Sequence, residues 1–560
     1  MSSVSPEELQ VVKKCIDRVA KGRKVVAACL YGSKVAGYAR PDSDIDLLVA
    51  LEGYPYAIKY AYLRESGLDV SALIVNSKSL ERDARSGSLG EFAAGRLLHV
   101  YEPIINAEYF STIERIYKRR VILEELQGVV DSASVLGTEI MFPLEYVAFS
   151  KIKRRTSLYP SAAYSYFKTY ASGGSKRNLE FALAGYRKAL DDIVAEDSGL
   201  FAQRDGLLQI SDRRIFVEKG KMRLRLTKRL QGFSSYFVQT YAGRRIMHLA
   251  VKEAESKIRR HVGQQVKPPD FMSCPKGAYW RLPEGKLIVD SRDWLDDLAK
   301  SLGIGDNYSV TAKRRLGNVN SRTMLYILRY GSSGERKIVV KELARSKSVK
   351  WAALNLWTAP VKKRFRVNAL FRLGSEYKAA RYIRALGLRT PEIKAVVLDR
   401  KLLVTGFVGG KTLADIIRDC IRGNGDAKWL REAGAQIAKI HAAGATLGNI
   451  KPKNVIVSGS GDLYFTDIEQ FVFKSGDPTW DLAQFISWGL KSTRNSTMAA
   501  LITREFLDGY ASVASSSSSG SSTNIEKLAK SRRYIESFYP VLMPSVALAV
   551  KKVIKSIAAG

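Results

Sequence analysis

The chain has 560 residues, too many for one hydrophobic core, and its 46% apolar and 26% charged residues are typical of packed globular domains. Its net charge of +35 makes a polyanionic partner, nucleic acid first, the leading expectation. Four scattered cysteines without a CxxC pair and only four histidines exclude a sequence-visible zinc site and argue against a disulfide framework, and no apolar run of about 18 residues offers a membrane span.

The N-terminus MSSVSPEELQVVKK is polar, so a cytoplasmic protein without a secretory signal is expected, with no membrane partner. Leu9, Val12, Ile16 and Val19 follow helical spacing until Lys21-Gly22. Apolar strands are expected over 25–30, 45–51 and 68–75, the last after Ser66-Gly67, in a small mixed sheet flanked by helices. Residues 109–260 read mostly as helices, broken at ASGGSKRN and EDSGLFAQRDG, with basic clusters KIKRR (151–155) and KMRLRLTKR (221–229). The Pro/Gly-marked stretch 267–280 reads as a linker. RTMLYILRY, GSSGE and KIVVKEL make a hairpin pattern, SEYKAARYIRAL a helix, and strands follow near 393–398 and 401–405. The Ser-rich stretch 513–524 reads as a second linker ahead of a helical tail. The fold class is α+β, multidomain.

The segment LYGSKVAGYARPDSDIDLLV concentrates chemistry. Asp44 and Asp46 are one residue apart, so on a strand both carboxylates share a face while Ile45 and Leu47 point to the core. Magnesium takes oxygen ligands and few protein groups, which suits such a pair. Gly32-Ser33 lies at a strand-to-helix turn whose backbone N–H groups can cradle phosphates. Asp69, at the start of the next apolar strand, is the third carboxylate. Alone, an Asp-x-Asp would be a turn or cap feature; the preceding Gly-Ser and the flanking strands set this one apart.

Residues 24–76 resemble the DNA polymerase β-like nucleotidyltransferase superfamily, particularly its small archaeal and bacterial members. The resemblance implies that Asp44, Asp46 and Asp69 are the catalytic carboxylates and hold Mg2+, that Asp69 is also the base, and that Gly32 and Ser33 bind the triphosphate of an NTP. It does not name the acceptor.

A second set spans 310–485. Lys341 lies on the strand KIVVKEL, Glu376 on the following helix, and Asn454 and Asp467 at strand ends after HAAGATLGNIKPKNVIV. Order and spacing resemble the atypical protein-kinase-like families of the RIO and lipopolysaccharide-kinase type. That resemblance implies Lys341 on the ATP phosphates, paired with Glu376, and Asn454 and Asp467 on metal. Two features depart from the family: a Gly-rich loop reduced to Gly317, and, in the nucleotide site, Asn449 where the family has its catalytic Asp five residues before the metal-binding Asn. An amide cannot accept a proton as a carboxylate does, and losing general-base help costs on the order of 10²–10⁴ in rate. An ATP-binding pseudokinase or slow kinase is expected.

Residues 1–130 carry 18 Lys/Arg against 17 Asp/Glu, residues 151–270 carry 25 against 11, and residues 301–510 carry 35 against 17. An RNA partner (tRNA, another structured RNA or the ribosome) would therefore be gripped outside the N-terminal site. Tyr159, Tyr164, Tyr166, Phe167 and Tyr170 follow KIKRR, a pattern that suits either stacking on single-stranded RNA or a helical bundle with a solvated basic face. The expected organisation is a nucleotidyltransferase domain over 1–130, a basic, mostly helical middle region over 131–300, a bilobal kinase-like domain over 301–512, the linker 513–524 and a tail over 525–560. The expected activity is NMP transfer to RNA. An RNA- or ribosome-binding regulator with two nucleotide sensors, or transfer to a protein partner, are the alternatives.

Overall fold

A computed structural model describes residues 3–158, 160–171, 173–211, 274–289, 292–316, 322–343, 351–352, 354–356, 358, 363–474, 476–491, 493–514 and 521–559. The chain divides into two units, one of residues 1–132 and 140–280, the other of 133–139 and 281–560. Helices and strands mix in several small sheets, so the class is α+β and multidomain. Gly317, Tyr159 and the cluster 221–229 lie outside the described residues.

The first unit opens with helix α1 (Pro6–Ala20), started by a Ser5/Glu8 capping box and Pro6. Strands β1 (Val25–Tyr31), β2 (Ile45–Leu51), β3 (Ile58–Glu65), β4 (Leu68–Asn76) and β5 (Glu102–Ile105) form one mixed sheet in the order β3-β4-β2-β1-β5. Strand β2 runs parallel to β4 and antiparallel to β1, while β3 and β4 form a hairpin. The sequence reading passed over β3. Its signals were a polar/apolar alternation and the pair Ser66-Gly67, whose φ values of 51° and 79° both lie in the left-handed region that a tight hairpin turn requires. Ile45, Leu47 and Val49 of β2 and Val70, Ala72 and Ile74 of β4 pack with Val12, Ile16 and Val19 of α1. Because strand side chains alternate, this core leaves the intervening residues, Asp46 and Ser71 among them, on the opposite face.

Helices α2 (Ser33–Ala36) and α3 (Ser77–Ser86) join the strands, and α4 (Ala107–Ala133), α5 (Leu144–Leu158), α6 (Pro160–Ala171) and α7 (Ser175–Glu196) make up most of the helical middle region. The glycine break after α7 is a hairpin, Phe201–Arg204 with Leu207–Ile210. The stretch read as a linker up to Trp280 ends in packed structure, with Trp280 buried. The RNA-stacking reading of KIKRR and its aromatics is corrected for four side chains. Tyr166, Tyr170, Lys151 and Arg155 are buried. Lys151 Nζ lies 2.7 Å from Glu91 and 3.1 Å from Glu124, and Arg155 pairs with Glu91 at 3.2 Å and donates to Tyr166 Oη at 3.1 Å. Burial opposes ionisation of Glu91, yet Lys151, Arg120 and Arg155 hold its carboxyl far below the usual range.

In the second unit a six-stranded sheet has the order β10-β11-β12-β14-β13-β9, from β9 (Lys286–Ile288), β10 (Tyr308–Leu316), β11 (Thr323–Tyr330), β12 (Gly334–Glu342), β13 (Ile393–Val397) and β14 (Leu402–Gly406), counting the strands Met141–Pro143, Phe201–Arg204 and Leu207–Ile210 as β6, β7 and β8. Helix α8 (Trp294–Ser301) packs on one face, and α9 (Ala369–Ala385) carries Glu376. A helical half follows: α10 (Leu413–Ile421), α11 (Lys428–Ala442), α12 (Pro478–Leu490), α13 (Ser496–Ala514), α14 (Ser521–Lys530) and α15, Pro544–Ala559. Of the Ser-rich stretch, 513–514 end one helix and 521–524 begin another whose Ile525 and Leu528 are buried. All four cysteines are free and buried. Among the described residues no helix is long and apolar enough to cross a membrane.

Helices α11 and α13 approach through glycines. A Cβ on Gly434 would strike the Phe506 carbonyl oxygen, and one on Gly509 the Arg431 carbonyl, both backbone groups with little freedom to move. Gly434→Ala is therefore expected to destabilise the fold by about 1–3 kcal/mol despite alanine's higher helix propensity. A thermal melt of the variant checks this, and a raised midpoint would contradict the packing.

Candidate active site

Strand β1 is apolar and buried from Ala27 through Tyr31, and the chain then turns at Gly32. Gly32 has φ 80° and ψ −154°, a region essentially confined to glycine, and a Cβ there would overlap the Asp46 carboxylate. Ser33 begins the single turn of α2, which Gly37 closes at φ 81°. The first N–H groups of such a turn have no intrahelical partner. The turn is braced from behind: Arg177 Nη2 donates to Val35 O at 2.6 Å, and Asn178 Nδ2 to Ala36 O and Thr169 O, both at 2.9 Å. Lys34 Nζ meets Glu8 at 2.5 Å.

Asp46 opposes Tyr31 on β1 and Ser71 on β4. Asp44, just before β2, accepts a hydrogen bond from Ser71 Oγ, which puts both carboxylates on the face away from α1. The register pairs Ile45 with Val70, so its continuation sets Asp69 opposite Asp44 on that same face. The Asp69 carboxylate is exposed, with Arg64 Nε 3.8 Å away. Among the described residues no three acidic, histidine or cysteine side chains converge as a ready metal cage. The donor set nevertheless fits Mg2+: hard carboxylate oxygens at and just before one strand, beside the Gly32 turn, with a third carboxylate in register.

The sequence reading missed Ser71, Asn178 and a cluster around Arg96. The Arg96 guanidinium lies over the rings of Tyr31 and Phe92, each 5.2 Å to the centroid, and Nη2 donates to Tyr60 Oη at 3.0 Å. Burial works against its charge, but Tyr60, Tyr31, Tyr166 and Asp46 around it push its pKa up. Burial also raises the Tyr31 phenol well above its ordinary value.

The second unit assembles the other predicted set in part. Lys341 Nζ lies 2.9 and 2.8 Å from the two Glu376 oxygens and is also bonded to Asp467. Glu469 stands 4.0 Å from Lys341 and 2.7 Å from Arg372. Asn454 Nδ2 donates to Asp467 at 3.4 Å, and Asp467 itself has φ 55°, strained for a non-glycine residue. Asn449 is buried and accepts from Gln484 Nε2 at 3.1 Å, and no hydrogen bond among the described residues joins it to Lys341 or Asp467. Its loop is anchored by Asp481, which accepts from Leu447 N at 2.6 Å, Gly448 N at 2.8 Å and His441 Nε2 at 3.2 Å. Helix α9 is also held from outside the sheet: Lys378 and Arg381 pair with Glu139, and a Cβ on Gly374 would strike the backbone N of Leu136.

Residues 13–79 match the family model for polymerase beta, nucleotidyltransferase. The match covers Gly32, Ser33, Asp44, Asp46 and Asp69 and supports a nucleotidyltransferase type of enzyme activity. No curated protein matches the chain. A solved structure of the bifunctional kinase-methyltransferase WbdD aligns at 12% identity and a TM-score of 0.25, over 45% of this chain and 47% of its own. That likeness is too slight to carry an argument.

Two outcomes follow from the geometry. Gly32→Ala must leave a backbone region that costs a non-glycine residue about 1–3 kcal/mol and must displace Asp46, so Mg2+-dependent triphosphate binding should fall about tenfold or more by calorimetry. Unaltered affinity would uncouple turn and carboxylate. In the second unit, burial, reinforced by Asp467 and Glu469, outweighs Lys341 and pushes Glu376 up to about 7. Between its ordinary value of 4.5 and about 7 the folded chain holds a proton that the unfolded chain has lost, so this residue's contribution to stability falls as pH rises through that window. Denaturation of Glu376→Gln across the window should lack that slope.

Proposed function

We propose that the N-terminal domain is a magnesium-dependent nucleotidyltransferase that moves the nucleoside monophosphate of an NTP to an RNA acceptor. The observation that carries this reading is the packing of the Asp46 carboxylate on Gly32, which joins a metal-type ligand to a phosphate-type turn. Asp44 and Asp46 hold Mg2+, Asp69 completes the set, and the Gly32-Ser33 backbone and the Ser33 hydroxyl take the triphosphate. When bound, Mg2+ neutralises charge on the α-phosphate and on the departing pyrophosphate. The acceptor hydroxyl oxygen forms the new bond to the α-phosphorus as the bond to pyrophosphate breaks, and its proton passes to Asp69. The excess of Lys/Arg over Asp/Glu at 151–270 and 301–510 supports a polyanionic acceptor.

The second unit reads as an ATP-binding, kinase-like pair of lobes, favoured by the Lys341–Glu376–Asp467 contacts. Two anchored cations, Lys341 and Arg372, face three carboxylates, and the remaining negative charge suits the divalent cation that accompanies a nucleotide. Asn449 makes turnover slow.

Incubation with α-labelled NTPs and total RNA tests the transferase. The native chain should label RNA and the Asp44→Ala/Asp46→Ala variant should not, whereas equal labelling by both rejects the proposal and label in the protein fraction moves the acceptor to a protein hydroxyl. For the second unit, Lys341→Ala should lose ATP binding. Asn449→Asp should raise phosphoryl transfer, by up to about 10²–10⁴ if base catalysis alone is missing; rapid transfer by the native chain contradicts the slow-kinase reading.

A further inference from the structure

Strand β3 puts an aromatic pair on the carboxylate face. Tyr62 pairs across the hairpin with Ser71, and Ser71 lies opposite Asp46, so all three side chains point the same way. Ala61 and Leu63, between and beyond, face the α1 core instead. Tyr62 is 58% exposed, unusual for so large a ring. It is not loosely held: Tyr60 lies alongside with planes 13° apart and centroids 6.1 Å apart. Tyr60 in turn is fixed by the Arg96 hydrogen bond and by the Phe92 ring edge-on at 5.9 Å.

The order of groups across the sheet matches the order of parts in a nucleotide. Tyr62 on β3 is followed by Ser71 on β4, Asp44 and Asp46 at β2, and Gly32-Ser33 after β1. Three strand spacings span about 14 Å, room for an extended base, ribose and triphosphate. Resting on the nucleotidyltransferase reading above, we infer that Tyr62, backed by Tyr60, is the platform on which the base of the incoming nucleoside triphosphate stacks. Its ribose then crosses Ser71 and its phosphates reach the carboxylates and the turn. Every base has a π-face, so such a platform holds the base without choosing strongly among the four.

The experiment is calorimetry on the full chain with Mg2+ and two probes, α,β-methylene-ATP and inorganic tripolyphosphate, with Lys341→Ala in every arm so that the second nucleotide site is silent. Tyr62→Ala should weaken the nucleotide on the order of ten- to a hundredfold and leave tripolyphosphate unaffected, while Tyr62→Phe should keep both. Undiminished nucleotide affinity in Tyr62→Ala, or an equal loss of tripolyphosphate, overturns the platform. Weakened RNA retention with normal nucleotide affinity also overturns it and gives the ring to the acceptor. Failure of the parent protein to bind Mg2+-tripolyphosphate, or indifference of that binding to Asp44→Ala, rejects the underlying transferase reading instead.

Discussion

The N-terminal site depends on one close approach, the Asp46 carboxylate against the α-carbon of Gly32. Only a residue without a side chain can occupy that place, and only glycine adopts its φ and ψ at small cost. The contact makes the turn and the carboxylate strand one object. The register of β2 with β4 adds Ser71 and Asp69 to the same face, and Arg177 and Asn178 fix the turn through its carbonyls. Helices α6 and α7 are thus part of the site's support. Side chains far along the chain thus fix the turn from behind, through its carbonyls.

The polar cluster of the second unit is organised by charge. Lys341 is buried among Glu376, Asp467 and Glu469, and burial opposes its charge while those carboxylates raise its pKa above the ordinary lysine value. Removing Lys341 would leave the buried Glu376 and Glu469 carboxylates without their cation, the costly outcome for such clusters. Asn449 stands apart from this group, paired with Gln484 and held by a loop whose amides end on Asp481. The amide there is hydrogen-bonded, so Asn449 fits the loop's shape.

Net charge illustrates how far composition can mislead locally. Lys151 and Arg155 look, in the run KIKRR, like a surface for a polyanion. They are interior groups that neutralise Glu91 and Glu124, and Tyr166 and Tyr170 pack beside them. The excess positive charge of the whole chain is unchanged by this, but it must act through other residues.

The sequence alone determined the α+β class, the strands that carry Asp46 and Lys341 and that flank Gly32 and Asp44, and the helix carrying Glu376, because apolar periodicity and glycine breaks are local properties of the chain. It placed Asp44 and Asp46 on one face for the same reason, the two-residue repeat of a strand. Strand β3 was within reach too, from the Ser66-Gly67 turn and its alternation, but its edge position leaves it half-polar and its pattern weak. Only the tertiary structure decided that Ser71 touches Asp44, that Arg96 braces Tyr60, that residues 133–139 lie against α9, and that Asn449 pairs with Gln484. Each of those contacts joins segments 27 to 240 residues apart in the chain, and which of many polar side chains meet at such distances is set by sheet register and helix packing, which no local pattern encodes.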